Sequence, residues 1–519
     1  MAIQKFSIQK QIFEIQSFSK THVHELQNRI SHLVNFSLSQ KMETYFDEVI
    51  PSNLLFRIDQ LDLDLGQVNW DTLDSEIEEK LMNALKTEFA ERLTLAKSTN
   101  YRSISGISVE TPGQGRLELF EYYLLYGLLP WYAENNSRFD IEELLHQLYS
   151  ESRPALKTLI QKTGKNQNVR RRICFQFNDK SIRSIIFAIE PTEAEFIFQT
   201  HKQIINTREL KLIVKSEEKD LSRTIWLFIM DFLLTEMSSE FERKMFVKSN
   251  LDRIAAYFNI NFRDLLGIFY AATEANENAE LNQPFRTILA ELFTPETESI
   301  LPLEVRFDNG QTSEKYGYRQ QPSEILKKQK EDKMKAAQEE DMGKENQLNL
   351  VFAESIYIGN AGLVLFHPYL ETYFNRTGLM ENKGFTGKAS RNRAILLLQY
   401  LATGNTEHAE HELVLNKILC NVPLEEAIPV SFTATEQEVQ VTKELLEVFI
   451  ERWDKLKNTS VDGLRNSFIQ RDGRLNFTED HWSLRVEQRG YDILLQSLPW
   501  AYSYIKTSWM PFNLIVEWI

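Results

Sequence analysis

One long segment without large apolar side chains divides this sequence. Between about Gly310 and Gln347 the composition changes sharply, and the part that reads KKQKEDKMKAAQEEDMGKENQ has almost no residue that could enter a core. A segment of this kind cannot bury a face, so it forms either a solvated single helix or a disordered tether. We therefore take it as the main domain boundary.

The apolar patterns on both sides of this segment predict a mainly α protein. The chain has only 19 Gly and 14 Pro in 519 residues, which favours long helices over a sandwich or propeller with many turns. We predict small α+β modules at the N- and C-terminal ends, joined by an α-helical middle region. The predicted segments are an N-terminal α+β module at 1–98, a helical middle region at 115–309, a charged linker or solvated helix at 310–348, and a C-terminal α+β module at 349–519.

The N-terminal module is predicted to alternate strands and helices. Phe6 with Ile8, and Phe13 with Ile15, follow a period of two. Helical spacing follows from Thr21 to about Phe46. LLFRIDQLDLDLG at 54–66 alternates like a strand, with a shift near Asp59 and Gln60 that suggests a β-bulge. Asp71 or Thr72 is the expected N-cap of a second helix, whose apolar stripe is Leu73, Ile77, Leu81, Leu85, Phe89 and Leu93. Residues from about Ser98 to Gln114 are dense in Ser, Thr, Gly and Pro and are interpreted as a linker.

The C-terminal module has clear local signals. AILLLQYL at 394–401 predicts a buried helix, and Thr435 with Glu438 forms a capping box before another helix. RLNFTEDHWSLRVEQ at 474–488 predicts a hairpin, YDILLQSLPW at 491–500 a short helix, and FNLIVEWI at 512–519 a final strand.

Charge and composition narrow the possible partners. The chain has 59 Lys and Arg against 74 Asp and Glu, a formal net charge of −15, and such a field repels the phosphates of nucleic acid. No apolar run approaches the roughly 18 residues of a membrane-spanning helix, and the N-terminus lacks the apolar core of a signal peptide. The two cysteines, Cys174 and Cys420, cannot form a disulfide framework. We therefore expect a soluble protein that is made in a reducing cytoplasm.

The strongest metal candidate is TEHAEHE at 406–412, where His408, Glu410 and His411 could ligate an ion. A zincin helix requires two histidines four residues apart with a Glu between them, whereas these two are three apart. An acidic helix start is the simpler interpretation, since acids are favourable near a helix N-terminus. We predict no metal site and no cofactor.

Three other motifs have simple structural explanations. Asp59, Asp62 and Asp64 alternate with leucines, so a solvated strand face is favoured over a calcium loop. GFTGKAS at 384–390 lacks the first glycine and the hydroxyl of a phosphate loop, which favours a basic turn before a helix. Arg170 to Arg172 lie in acidic surroundings, which favours an internal salt-bridging face.

No nucleophile motif is present. The sequence has no Gly-x-Ser-x-Gly, and neither cysteine can be placed beside a base. Cys420 follows Ile418 and Leu419, which suggests a buried thiol. We predict that the protein is not an enzyme; a metal-dependent enzyme built on His408 and His411 is the hypothesis from another class.

Several stretches nevertheless resemble one family. RIDQLDLDLG at 57–66 and a helix after it carry the resemblance at one end. GLLPWYA at 127–133 and NLDRIAAYFNINFRDLL at 250–266 carry a weaker one in the middle. Nearly the whole last third carries it in order, through YIGNAGLVLFHPYLETYF, AILLLQYLATG, EHELVLNKILCNVPLEE, ERWDKLKNTSVDGLRNSFIQRDGRL, YDILLQSLPW, IKTSWM and VEW. Together these resemble the tape measure protein of contractile injection systems, the phage-tail-like particles of bacteria.

The resemblance is not complete, and it contains no catalytic residue. The family often has a basic residue where this chain has Gln60, and a Gly where it has Asn421. The residues that the resemblance marks are therefore structural or interface residues, namely Asp64, Gly66, Pro130, Trp131, Asn360, Gly362, His367, Pro368, Pro499, Trp500, Trp509 and Met510. Trp500, Trp509 and Trp518 could anchor either a core or an interface, and core is favoured.

What the resemblance implies is a ruler that spans the lumen of a growing tube and sets where growth stops. Fully helical, the chain could reach roughly 780 Å, whereas a compact chain would have a radius of gyration of about 24 Å. The implied partners are tube, baseplate or cap proteins, with self-association left open and with neither nucleic acid nor membrane insertion. The implied location is the cytoplasm during assembly and then the particle, inside or outside the cell. A compact adaptor, plug or cap protein of the same particle is the alternative.

Overall fold

The computed structural model describes most of the chain in separate stretches. The described residues are 8–9, 11–16, 22–50, 55–58, 60–98, 107–133, 139–214, 218–237, 240–275, 279–292, 355–478 and 480–518. They fall into two compact units. The first unit comprises Met1–Glu121, Tyr132–Glu134 and Glu143–Leu156, and the second comprises Tyr122–Trp131, Asn135–Glu142 and Lys157–Ile519. The middle helices and the C-terminal residues thus share a unit, whereas the sequence placed them in separate segments; the four-segment division stays a prediction.

The first unit is built on two helical rods. Helix α1 (Val23–Leu33) continues through a π-helical turn (Val34–Leu38) into α2 (Ser39–Val49), and α1 contacts α3 (Leu73–Ser98). Their shared core contains Ile30, Leu33, Leu38, Met42, Tyr45, Leu73, Ile77, Leu81, Leu85 and Phe89. The helix predicted from Thr21 to Phe46 and the predicted stripe of α3 are therefore confirmed; the side chain of Leu93 lies outside the described residues.

The strand predicted at 54–66 is wrong over most of its length. Strand β1 covers only Leu55–Ile58 and pairs antiparallel with β2 (Ile107–Glu110). Beyond it, Leu61, Leu63 and Leu65 are half-buried and Asp62 is exposed, but the backbone has no regular secondary structure. Alternation arises here because one side of an irregular segment lies on a core, and the described residues provide no strand that pairs with it. Residues 11–16 likewise form no strand, Phe6 lies outside the described residues, and the interpreted linker contains β2.

Three helices, α4 (Pro112–Tyr126), α5 (Ile141–Glu151) and α6 (Arg153–Thr163), each contain residues of both units. The second unit then contains α7 (Gln167–Gln176), α8 (Asp179–Ile189), α9 (Ala194–Asn206), α10 (Arg208–Val214), α11 (Glu218–Asp231) with a π-helical end at Phe232–Glu236, α12 (Arg243–Phe258), α13 (Phe262–Ala275) and α14 (Ala279–Leu292). Helix α11 packs on α7, α9 and α12. These helices confirm the mainly α class.

Residues 355–518 combine helices with a sheet. The helices are α15 (Leu370–Arg376), α16 (Lys388–Thr403), α17 (Val414–Leu419), α18 (Glu436–Arg452) and α19 (Val461–Leu464), with 3-10 turns at Ala361–Tyr369, Glu410–Leu413, Asp454–Leu456 and Gly490–Ser497 and a π turn at Arg465–Ile469. Helix α16 is buried as predicted. The capping box is also confirmed, since the Thr435 hydroxyl accepts from the Glu438 amide in front of α18.

A five-stranded sheet closes the C-terminal part. Its strands are β3 (Ile356–Ile358), β6 (Gly473–Thr478), β7 (His481–Val486), β8 (Tyr504–Ile505) and β9 (Asn513–Glu517), in the order β3-β6-β7-β9-β8. The β6–β7 hairpin and the last strand are confirmed, and β9 pairs parallel with β7. A separate two-stranded ribbon joins β4 (Met380–Glu381) to β5 (Gly384–Phe385). GFTGKAS was predicted to be a turn, but only Thr386 and Gly387 lie between β5 and the first residue of α16.

One apolar core supports this sheet and the helices around it. Its buried residues include Leu363, Phe366, Leu397, Phe449 and Trp453, all with less than 1% of their surface exposed. The buried residue recorded in this core from outside 355–518 is Leu128, with Tyr122 and Tyr126 packed at the edge.

Candidate functional site

The densest buried charge in the described residues lies where α7 meets residues 410–431. Arg172 of α7 and Glu410 are 238 positions apart, and both side chains are 0% exposed. The Arg172 guanidinium donates from Nε to Glu410 Oε2 at 2.8 Å and from Nη2 to Glu410 Oε1 at 3.0 Å. It also donates to the carbonyl oxygens of Leu124 and Glu425. This bidentate pair fixes both position and orientation.

Lys417 completes the cluster. Its Nζ donates to Glu410 Oε1 at 2.7 Å, to the carbonyl oxygen of Leu424 at 2.7 Å and to that of Glu426 at 2.8 Å. All three ammonium hydrogens thus have acceptors. Burial lowers the pKa of Lys417, while the nearby Glu410 carboxylate raises it. Two cations and one carboxylate are therefore buried together, and backbone carbonyls of 424–426 stabilise the excess positive charge.

A second set of hydrogen bonds surrounds the charges. Gln176 donates to the carbonyl oxygen of Ile428, and its Oε1 accepts from the Glu410 amide at 3.1 Å. The Val430 amide donates to the carbonyl oxygen of Phe175 at 3.3 Å. Each of these bonds joins α7 to the segment 410–430.

Gly127 is the residue that lets the chain after α4 approach the cluster. Its φ is +68°, and a Cβ atom there would lie 2.5 Å from Glu410 Oε1 and 2.9 Å from Arg172 Nε. Both the backbone conformation and the space require glycine. GLLPWYA, which begins at this residue, carries part of the family resemblance, and the structure gives its glycine a physical reason. In the same motif Pro130 is buried and Trp131 is half-buried.

The histidines of the metal hypothesis have other surroundings. His408 is buried, and its Nε2 lies 2.7 Å from the carbonyl oxygen of Asn405. The His411 ring stands edge-on to Phe139, with centroids 5.6 Å apart, and burial lowers the pKa of His411 to about 4. Glu410, the third proposed ligand, forms ion pairs with Arg172 and Lys417. Across the described stretches no group of three His, Cys, Asp or Glu side chains is arranged to hold a metal ion.

The other arginines agree with the predicted salt-bridging face. Arg170 pairs with Asp231 of α11 at 2.5 Å and donates to the carbonyl oxygens of Gly164 and Lys165. The Arg171 guanidinium lies over the Phe175 ring. Sequence reasoning thus gave the right role to Arg170 and Arg172, but it missed Glu410 and Lys417 in the buried cluster. The available signal was a lysine inside the apolar run VLNKILC, which indicates a buried partner.

Asn360 and Gly362 lie in the C-terminal core. The Asn360 amide donates to Gln399 Oε1 and to Asn416 Oδ1, both at 2.8 Å. A Cβ atom on Gly362 would lie 1.7 Å from the carbonyl oxygen of Phe468, so the two backbones touch.

The remaining marked residues occupy varied positions. His367 is half-buried with Nδ1 3.1 Å from the carbonyl oxygen of Val364, and Pro368 and Pro499 are exposed. Met510 is buried. In the first unit Asp64 Oδ1 accepts from the Gly66 amide at 2.9 Å, and Gly66 has φ +62°. The role of these residues in the family stays a prediction.

The three C-terminal tryptophans are tied into the structure by their indole N–H groups. Trp500 donates to the carbonyl oxygen of Leu365 at 3.0 Å and Trp509 to that of Leu419 at 2.8 Å. Trp518 donates to Asp492 Oδ2 at 3.1 Å. Trp509 and Trp518 are buried and Trp500 is half-buried, which are the positions of core residues.

The chain matches the family described as contractile injection system tape measure protein over residues 5–518. It belongs to that family. Comparisons with curated proteins and with solved structures found no significant match. The tape measure family implies a place in a phage-tail-like injection particle and partners within that particle. Within the described residues no helix combines the length and apolar character that crossing a membrane requires.

Proposed function

We propose that this tape measure protein sets the length of the inner tube during assembly of the injection particle, and that it does so without chemistry of its own. The observation that carries the proposal is the family match, which extends over nearly the whole chain. The buried charge cluster supports the second part. Arg172 and Glu410 are 0% exposed, so they hold segments together and offer no surface to a substrate.

The partners in this proposal are tube, baseplate or cap proteins. Assembly takes place in the cytoplasm, and the finished particle then carries the protein inside or outside the cell. The C-terminal core, with its buried tryptophans, supports a folded docking module at that end.

A compact adaptor, plug or cap protein of the same particle is the second candidate. A specific observation favours it, because the middle helices and the C-terminal residues form one compact unit. A ruler of the length expected from sequence requires this unit to extend, whereas an adaptor works in the compact form.

The length of the segment 310–347 provides the test. A deletion that includes the middle helices would remove Arg172 and leave the charges of Glu410 and Lys417 buried without their partner, so it would report on folding. Deletion of 310–347 leaves every contact described above in place. These 38 residues correspond to about 57 Å if helical, at 1.5 Å per residue.

Electron microscopy of assembled particles measures the result. For a ruler, deletion shortens the mean tube by about 57 Å and tandem duplication lengthens it by the same amount. A substituted segment of equal length and composition in shuffled order is the control and leaves the length unchanged. Tubes of unaltered length with all three variants contradict the ruler, and loss of a cap or plug from normal tubes when the whole protein is removed supports the adaptor.

A further inference from the structure

The contact between the middle helices and residues 355–518 contains charged groups and hydrogen bonds. We define the polar joint as Arg172, Phe175, Gln176, Lys219 and Arg223 on the helices, with Glu410, Lys417 and residues 424–431 on the other side. Its outer part includes Lys219, whose Nζ donates to Ser431 Oγ at 2.9 Å. Arg223 Nη2 lies 3.5 Å from the same oxygen. Charges and hydrogen bonds thus extend from the buried centre of the joint to its rim.

The apolar cores on the two sides are separate from this contact. Leu128, which lies before α5, is buried in the core of residues 355–518. Ile173 and Cys174, which follow Arg172 on α7, are buried, but they do not belong to the apolar core of residues 355–518. Separation along the polar joint would therefore expose ionic groups and leave the C-terminal apolar core closed.

Buried ion pairs give orientation more than net stability. Each charge loses its water when the joint closes, and the mutual attraction roughly offsets that loss. When the joint opens, Arg172, Glu410 and Lys417 recover hydration, and the freed surfaces stay soluble. An apolar contact of the same size would favour the closed form strongly and would expose a sticky face when open.

We propose that the polar joint is a separable latch: the helices of 157–292 part from residues 355–518 as folded pieces while the C-terminal core stays intact. The latch gives the tape measure protein two forms, a closed form in which it is stored and an open form that has greater reach. This use of the latch rests on the proposed function, but the opening itself does not.

Two backbone amides report the opening directly. The Glu410 amide is bonded to Gln176 and the Val430 amide to Phe175, so both bonds break when the joint separates. Leu475 and Leu484 lie in the paired strands β6 and β7. The hydrogen bonds of their amides break only when the sheet unfolds. Hydrogen exchange of the full chain, resolved to these positions, compares the two pairs.

In the native protein we expect the Glu410 and Val430 amides to exchange at least 100-fold faster than those of Leu475 and Leu484. Equal protection of all four amides would overturn the proposal, because the two sides would then open only by global unfolding. This comparison needs no variant and therefore does not depend on a mutant that folds.

The substitution Arg172→Met sharpens the comparison. It leaves Glu410 with Lys417 alone and should speed exchange at Glu410 and Val430 by a further factor of at least 100, with no more than a threefold change at Leu475 and Leu484. Arg171→Met is the matched control on the same helix turn and should change all four rates by less than threefold. A uniform acceleration of all four amides by Arg172→Met would contradict a local latch.

The outcome is independent of the ruler test. Fast exchange at the joint with an unchanged tube length after deletion of 310–347 would keep the latch and reject length control. Slow exchange of the Glu410 and Val430 amides, together with tube lengths that follow the length of segment 310–347, would reject the latch and keep the ruler.

Discussion

The polar joint at α7 and the C-terminal residues 355–518 each contain a fully buried arginine that forms an ion pair with a carboxylate, but the two pairs stabilise different parts of the protein. Arg172 reaches Glu410 across 238 positions, and its surroundings are carbonyl oxygens. Arg471 reaches Asp492 across 21 positions, with Nη1 to Oδ1 at 2.9 Å and Nη2 to Oδ2 at 2.7 Å. It lies beside the Trp518 ring and also donates to the carbonyl oxygens of Ser467 and Glu487, all of which belong to residues 355–518. The first pair sets how two folded pieces meet, and the second sets how one piece closes on itself.

This difference shows that burial alone does not tell what an ion pair stabilises. An arginine embedded among aromatic rings is coupled to the packing of its whole core. An arginine at a polar boundary is coupled to the relative position of two cores. Experiments that damage one region and spare the other can separate these roles.

The largest effect is expected from Gly362→Ala, which attacks the C-terminal core at a contact between two backbones. The new Cβ would lie 1.7 Å from the carbonyl oxygen of Phe468 and 2.7 Å from the Ile469 Cα. Neither atom belongs to a flexible side chain, so the free energy of unfolding should fall by more than about 5 kcal/mol. Urea unfolding followed by tryptophan fluorescence measures this loss.

The control for that substitution is Gly490→Ala, since nothing lies within 4 Å of a Cβ at Gly490. A Gly362→Ala protein as stable as this control would show that the two backbones can move apart, and that the core is less tightly closed than its geometry indicates.

Arg471→Met should have the next largest effect. It leaves Asp492 buried with the Trp518 N–H and the Arg489 amide as partners but without a cation. Removal of one partner of a buried pair costs about 3–5 kcal/mol. The substitution should also accelerate exchange at Leu475 and Leu484 in the adjacent strands, the opposite of the pattern expected for Arg172→Met. Identical exchange patterns from the two substitutions would erase the distinction between the pairs.

Acid should weaken the middle helices through His201. Its ring is stacked on Trp226 with centroids 3.6 Å apart, and burial lowers the pKa of His201 to about 4, against 6.5 for an exposed histidine. Between pH 6.5 and pH 4 the unfolded chain binds a proton that the folded chain does not, so stability falls as the pH falls. Between pH 6.5 and pH 4.5 the protonation of His201 in the unfolded chain lowers the free energy of unfolding by about 2–3 kcal/mol.

Urea unfolding followed by helical circular dichroism at pH 7 and pH 4.5 checks this expectation. His201→Phe keeps a stacked ring and should reduce the difference in unfolding free energy between the two pH values by that amount. His24→Phe changes an exposed histidine and serves as the control. If His201→Phe leaves the pH dependence unchanged, the acid sensitivity of the helices has another origin.

Local signals in the sequence predicted many elements of both units. The stripe from Leu73 to Phe89, the capping box at Thr435 and the hairpin at 474–488 depend on neighbours a few residues apart, and each is present in the structure. In all these cases the relevant physics lies within one or two turns of chain.

Long-range pairing could not be predicted in the same way. Nothing in the periodicity near Arg172 identifies Glu410 as its partner, because their contact depends on how two folded pieces meet. The alternation of Leu61, Leu63 and Leu65 was interpreted as a strand, since a side that lies on a core gives the same pattern with or without a ladder. Strand β2 was missed because its partner β1 lies some 50 residues earlier in the chain.

The strand order of the C-terminal sheet has a consequence for the sequence of events on the ribosome. Strand β8 pairs with β9, which is synthesised after it. Strand β3 pairs with β6, which is synthesised more than a hundred residues later. Sheets closed by such distant pairings form slowly. Newly made chains should therefore pass through a period in which the helices of 157–292 have been synthesised but the C-terminal sheet has not yet closed.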